Sequence, residues 1–292
     1  MVEQVAPVAT KGSVPTLSLR RDELADIELQ LLLDALLRYA LCDFRSISPS
    51  VLRRRVADAM RAEGVATITG LQERLLHDER ALASFVVSIK ATTATPFAEP
   101  AFYRAFLVNV VPLLRTYSFI RVWLPNPGPG ADAFALAALL DEAGVLERTI
   151  LYSTFINDVS VAIAKTGHYR HGGRAALEAA ARVAGLQAPL TNYFDINDDF
   201  VSPKERLRES VMLARHNPAS DTSINEFHAI VARGFLSLLN GEAQYELQGL
   251  FYESLMHLGF LGLGSGESIA NSAHESAFRQ VVQDQPIFRR MR

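Results

Sequence analysis

The feature that most constrains this chain is an alternation that begins at Phe119. Residues 119–124 (FIRVWL) form a short apolar run, rich in the residue types that make a buried strand. A Pro- and Gly-rich turn follows at 125–130, and then a helical stretch at 132–143. A second strand-like run at 149–154 (TILYST) leads into a helix at 157–166, and an Ala-rich helix over 173–185 ends at Gly185. Further strand candidates lie at 208–213, 227–232 and 259–263, the last preceded by a helix at 242–257. Residues 277–292 are read as a final hairpin. Strands that alternate with helices in this way predict an α/β domain with a mostly parallel sheet.

The first ninety or so residues have a different character. Residues 1–15 lack helical periodicity and read as a flexible tail. Over 19–41 apolar residues recur at helical spacing, with Asp22 and Glu23 in the first turn, where the helix dipole favours negative charge. Pro49 opens a second helix over 51–63, and Gly64 ends it. Two more helices are expected over 69–76 and 79–88. A linker at 92–100 carries Pro96 and Pro100, and a helix over 101–115 is interrupted near Pro112. The predicted organisation is a tail (1–15), an all-α domain (16–92) and an α/β domain (93–292).

Charge and composition exclude several classes. The 292 residues carry a net charge of -3, without the basic excess of nucleic-acid binders. Cys42 is the one cysteine, so neither an internal disulfide nor a cysteine zinc site is expected. No apolar run reaches the roughly 20 residues that span a bilayer. The first residues lack a signal-peptide core. The expectation is a soluble cytoplasmic protein with no membrane insertion. His168 and His171 have no carboxylate nearby in sequence, and Asp195, Asp198 and Asp199 lack the Gly and final Glu of a calcium loop. No metal is expected. His257 reads as a packing or surface residue on the helix at 242–257.

In an open α/β sheet the ligand lies at the carboxyl ends of the strands, and the turn after the first strand approaches it. That turn runs from Pro125 to Asp132. Gly128 and Gly130 let the backbone come close, and Asp132 offers an acceptor at the helix start. Alone, this is a weak signal.

A resemblance covering nearly the whole chain adds to it. Asp43-Phe44 followed by Val51-Leu52-Arg53-Arg54-Arg55, and the segment Phe97-Ala98-Glu99-Pro100-Ala101-Phe102, are similar to stretches of the chemotaxis-receptor methyltransferase (CheR) family. The family's version of the second is Phe-Arg-Asp-Pro-x-x-Phe. Residues 122–136 resemble its Val-Trp-Ser-Ala-Gly-Cys-Ser-Thr-Gly-Glu-Glu-Pro-Tyr-Ser-Leu, and 151–169 its second strand and helix. Ala214-Arg215-His216-Asn217, residues 227–240 and residues 259–268 match later motifs in the same order. The resemblance implies an N-terminal helical subdomain followed by a Rossmann-like methyltransferase domain. It also implies S-adenosylmethionine as cofactor and receptor glutamates as substrate.

The same comparison shows losses. The family's Arg before Asp-Pro is Ala98, which lacks the forked donors of a guanidinium. Phe155 stands where the family's acidic residue takes the ribose hydroxyls. Asn126 replaces the first glycine of the turn, and Pro127 and Pro129 remove N–H donors. Ala131 and Asp132 replace an acidic pair, Gly234 an asparagine and Leu238 a tyrosine. Gly128, Gly130, Asp132, Asn217 and Arg233 remain as cofactor-binding candidates; no catalytic residue is assigned. If each lost contact contributed about 1–1.5 kcal/mol, three or four losses would weaken binding ~10²-fold or more.

The pattern argues for a degenerate site. S-adenosylmethionine would be a cofactor only if the site still functions. The protein would act by contact with a protein partner, such as a chemoreceptor or another signalling component. Arg53, Arg54, Arg55 and Arg61 are the partner-binding candidates, weighed against a plain solvated helix face. An active protein-glutamate O-methyltransferase with a remodelled pocket is the first alternative. A binder of another small ligand is the second. Residues 192–207, where some family members grip a receptor tail, are expected to form a rudimentary hairpin without that role.

Overall fold

The computed structural model describes residues 21–40, 42–90, 95–125, 128–155, 157–216, 226–270 and 272–292. The expected tail at 1–15, Asn126, Pro127 and Asn217 lie outside the described residues.

Four helices form the N-terminal domain: α1 (Arg21–Ala40), α2 (Pro49–Glu63), α3 (Ile68–His77) and α4 (Glu79–Lys90). Their inward faces share one core built on Leu32, Leu36, Val56, Leu71, Phe85 and Val86. Local chemistry sets the ends. Pro49 begins α2, and Gly64 closes it in the left-handed conformation at φ 68°, which glycine adopts without a Cβ penalty. Thr67 caps α3 by accepting from the Gly70 N–H at 3.0 Å. The Asp78 carboxylate accepts from the N–H groups of Arg80 and Ala81 at the start of α4.

Two short helices, α5 (Pro100–Asn109) and α6 (Val111–Leu114), are the expected helix broken near Pro112. The α/β domain then runs β1 (Ile120–Pro125), α7 (Ala131–Glu142), β2 (Thr149–Phe155), α8 (Asp158–Thr166), β3 (Tyr169–Arg170), α9 (Arg174–Ala184), β4 (Phe194–Ile196), β5 (Phe200–Pro203), α10 (Glu205–Glu209), β6 (Val211–Arg215), β7 (Phe227–Ala232), α11 (Gly241–Ser254), β8 (Leu255–Leu263), β9 (Phe278–Gln280) and β10 (Ile287–Arg290). The main sheet has seven strands in the order β6-β2-β1-β7-β8-β10-β9. β6, β2, β1, β7 and β8 are parallel, and the antiparallel β9–β10 hairpin closes one edge. Strand order reverses beside β1, between β2 and β7. That places the ligand crevice of such a sheet at their carboxyl ends. Residues Ala131 to Leu140 of α7 are all buried, so this helix passes through the interior.

Three details differ from the sequence reading. The helix expected over 242–257 stops at Ser254, and the chain passes directly into β8, which places His257 on a strand. No Gly or Pro marks that junction, and the apolar pattern continues across it. The strand expected at 208–213 begins only at Val211, because α10 occupies the preceding residues. The hairpin expected within 192–207 is β4 and β5, but β3 joins it in a three-stranded antiparallel sheet.

The helical domain is tied to the α/β domain close to the crevice. The Ser48 N–H donates to the Leu238 carbonyl at 2.7 Å, and the Asn240 N–H donates to the Ser46 carbonyl at 2.9 Å. Ile47 and Leu239 form an antiparallel bridge. The loop after β7 is thereby held from the N-terminal side.

Candidate functional site

The site lies where β1, β2 and β7 end. Gly130 caps α7 at φ 90°. A Cβ built on it would come within 3.0 Å of the Phe155 Cζ and 3.5 Å of the Ala164 Cβ. Both the backbone angle and the close approach therefore require glycine. Gly128 is buried in the same turn.

Phe155, the last residue of β2, is wholly buried and packs with Val161 and Ala164 of α8. Its ring seals the space between the β1–α7 turn and α8. Its carbonyl accepts from the His216 N–H at 2.8 Å. Asp158, the nearest alternative carboxylate in sequence, is exposed at the start of α8.

Asp132 and Arg233, both expected to face a cofactor, touch each other. Arg233 Nη1 lies 3.2 Å from Asp132 Oδ1, with 0% and 5% of their side chains exposed. Tyr103 donates its hydroxyl to the same oxygen at 2.7 Å. Arg233 Nη2 donates to the Ala98 carbonyl at 2.7 Å and to the Glu99 carboxylate at 3.1 Å. The guanidinium also lies 4.9 Å and 4.8 Å from the ring centroids of Phe102 and Tyr103, near enough for cation–π attraction.

Burial alone would push the Arg233 guanidinium toward neutrality, but Asp132, Tyr103 and Glu99 outweigh it and hold its pKa above the ordinary value. Burial, with the Asp132 charge added, pushes the Tyr103 hydroxyl well up. Tyr103 therefore stays a donor.

The segment around Ala98 is bent to meet this cluster. Phe97 and Glu99 both have positive φ, 61° and 54°, a conformation that side chains usually avoid. Phe97 is buried edge-on against Tyr103 and Phe194, and Glu99 is held by Arg233, so tertiary contacts over-determine the bend. Gly234 sits at φ 67°, which glycine and asparagine both tolerate. The buried Glu267 carboxylate fixes the adjoining loops by accepting from the N–H groups of Gly234, Gly264 and Ser237 at 2.9, 2.7 and 2.8 Å. Leu238 is buried. Tyr103, Glu99 and Glu267 were not singled out in the sequence. Their partners are remote in the chain, although Glu99 and Glu267 lie within the segments 97–102 and 259–268 that resemble the family.

These residues do not fit the donor set that the family's cofactor requires. Phe155 offers no acceptor at the end of β2, Pro125 and Pro129 have no N–H, and Asp132 Oδ1 is already shared by Tyr103 and Arg233.

Elsewhere, Arg53, Arg54 and Arg61 are exposed on α2, whereas Arg55 is half-buried and leaves this face. A spacing of 3.6 residues per turn sends Arg55 to the opposite side. Arg53 pairs with Asp26 at 2.8 Å, and Arg61 pairs with Asp58. His168 meets Ser202 at 2.8 Å and His171 meets the Asn197 carbonyl at 2.9 Å. Both imidazoles thus brace the small sheet. Among the described residues no His, Cys, Asp and Glu group could hold a metal, and no helix is long and apolar enough to cross a membrane.

Residues 94–286 match the family model "CheR methyltransferase, SAM binding domain", and residues 27–89 match "CheR methyltransferase, all-alpha domain". The chain belongs to the CheR methyltransferase family. It is 36% identical to "Putative methyltransferase Cher3" of Pseudomonas putida over 266 residues, covering 91% of this chain and 97% of that protein. It is 23% identical to an uncharacterized 104.1 kDa protein of Rhodobacter capsulatus, covering 78% of this chain but only 24% of that protein. Among solved structures, the DszA carbon methyltransferase is similar at TM-score 0.36 and 15% identity, covering 83% of this chain and 48% of that one. Both CheR domains, a helical one and a Rossmann-like one with a mostly parallel sheet, are present.

Proposed function

We propose that this CheR-family chain is a catalytically degenerate methyltransferase homologue that acts by contact with a protein partner. The observation that carries this reading is Phe155. Its ring is buried within 3.0 Å of a Cβ position on Gly130, at the strand end where the family's carboxylate would reach a ribose. The pairing of Asp132 with Arg233 supports the reading, because it gives both residues a structural use that needs no ligand. The partner proposed is a chemoreceptor or another component of a chemosensory-type pathway in the cytoplasm. The exposed Arg53, Arg54 and Arg61 face of α2 would steer an acidic helical surface toward the domain.

The test is methyl transfer from labelled S-adenosylmethionine to a receptor fragment that the protein retains in a pull-down. Retention without incorporation, weakened several-fold by Arg54→Glu with Arg61→Glu, is expected. Stoichiometric incorporation would sink the reading. It would favour the second one, an active protein-glutamate O-methyltransferase with a remodelled pocket, which draws support from Asp132 and Arg233 being kept.

A further inference from the structure

Strand β6 forms one edge of the seven-stranded sheet. Its inner side pairs with β2, and the His216 N–H carries that ladder on to the Phe155 carbonyl at 2.8 Å. Backbone groups point alternately to the two sides of a strand. Those of Met212 and Ala214 therefore also turn toward β2, and those of Val211, Leu213 and Arg215 turn outward. The outward N–H and C=O groups have no partner among the described residues. Such an edge is a template for another strand, and proteins usually blunt it with Lys, Pro or a bulge. Val211 to Ala214 carry no charge and no Pro, and the Met212 side chain is 51% exposed.

The features around Leu213 indicate what covers this edge, because they complement themselves. In an antiparallel pair, facing residues exchange both hydrogen bonds. A copy of β6 related by a two-fold axis at Leu213 sets Leu213 against Leu213 and Val211 against Arg215, so every outward group finds a partner. Met212 falls opposite the small Ala214, twice. Glu209, exposed just before the strand, falls diagonal to Arg215 of the copy, within reach of long side chains. Of the α10 cations, Arg206 is held by Asp141 and Arg208 by the Pro203 carbonyl. Helix α8 repeats the pattern above the strand. Leu213 packs on Val161 and Ala164, so the same axis passes the middle of α8. Asp158 and Lys165 are exposed two turns apart, ~20° from each other around the helix. Val159, on another side, packs on the helical-domain core. An antiparallel copy of α8 sets Asp158 against Lys165, twice. Asp158, Lys165, Glu209 and Arg215 have no ion pair of their own among the described residues.

We propose that β6 pairs antiparallel with β6 of a second copy of this chain, centred on Leu213, and joins two seven-stranded sheets into one. A two-fold axis makes each contact recur, so one strand edge and two kinds of charge pair supply both halves of the interface. A five-residue strand beneath a nine-residue helix, each packed on its copy, gives an interface at the small end of the specific range, roughly 1,000 Å². The dimer is therefore a micromolar one, independent of whether the chain binds S-adenosylmethionine.

Sedimentation equilibrium of the full chain, with circular dichroism to verify folding, tests this. The wild type is expected to be mostly dimeric at about 100 µM. Hydrogen exchange at the Val211, Leu213 and Arg215 amides should slow at least tenfold, roughly, between about 1 µM and 100 µM, since the dimer alone protects them. Met212→Lys, at an exposed position, should weaken association at least tenfold, roughly, because an edge lysine disfavours strand pairing. Glu209→Arg and Arg215→Glu should each weaken it by about threefold, and the two together should restore it to within about twofold of wild type. A chain that stays monomeric overturns the proposal. So does a dimer whose three amides exchange at the same rate at both concentrations, a Met212→Lys variant that dimerises like wild type, or a double charge swap no better than its singles. Amides protected in the monomer also overturn it, in favour of another part of the same chain as the occupant of the edge.

Discussion

The guanidinium of Arg233 lies 3.2 Å from the carboxylate of Asp132, across 101 residues of chain. One residue follows β7 and the other opens α7 after β1, so the pair fastens together the ends of two adjacent parallel strands. Tyr103 and Glu99 extend the cluster to the segment that precedes α5. The cluster joins these strand ends to the segment before α5 through side chains alone.

Removing Arg233 alone should therefore be severe. Arg233→Met leaves the Asp132 carboxylate buried without its charge partner, at a cost of about 3–5 kcal/mol. Replacing both, with Asp132→Leu, should recover more than half of that loss, roughly, since an apolar pair carries no desolvation penalty. Urea unfolding with unchanged m-values checks both variants.

Tyr103→Phe should cost about 1.5–3 kcal/mol, the range for a hydrogen bond to a charged acceptor. The ring stays in place, so packing and the contact with Arg233 persist, and the loss reports the hydroxyl alone. Chemical unfolding measures it.

Glu267→Gln should cost about 2 kcal/mol. Its amide group would point hydrogens at N–H donors that the carboxylate now satisfies. Hydrogen exchange at Gly234, Ser237 and Gly264 should quicken together, because one carboxylate protects all three.

Stability should fall on mild acidification through His228. Burial first, and then the Arg121 charge, lowers its pKa below the ordinary 6.5. Its neutral Nδ1 accepts from the Arg121 N–H at 3.1 Å. The unfolded chain binds the proton more readily, so this contribution is complete above pH 6.5 and is lost as pH falls through the folded value. His228→Asn keeps an acceptor but cannot titrate there. Its unfolding midpoint should depend less on pH over that window than the wild type's does.

The framework was legible in the sequence because it is local. The runs 119–124, 149–154 and 227–232 became β1, β2 and β7 within a residue, since a buried parallel strand needs a short apolar run and nothing else. Pro49 and Gly64 marked the ends of α2 for the same reason. The misses were at places where the chain itself gives no cue. The junction at Ser254 has no breaker, and β3 is two residues long and exists only by pairing with β5. At the site, Phe155 was picked out by the resemblance of residues 151–169 to the family's second strand and helix. Asp132 and Arg233 were picked as residues that matter, but their contact with each other was not, because nothing in a linear pattern shows that two residues 101 apart will meet.

The central claim, that this cofactor site has lapsed with Phe155 as its plug, is tested most directly by calorimetric titration of the folded wild-type chain with S-adenosylhomocysteine. Phe155→Asp titrated alongside should show at least tenfold tighter binding, roughly, for a regained acceptor. The account predicts no saturable heat from wild type up to about 1 mM ligand. One-site binding with a micromolar Kd, unimproved by Phe155→Asp, would contradict it.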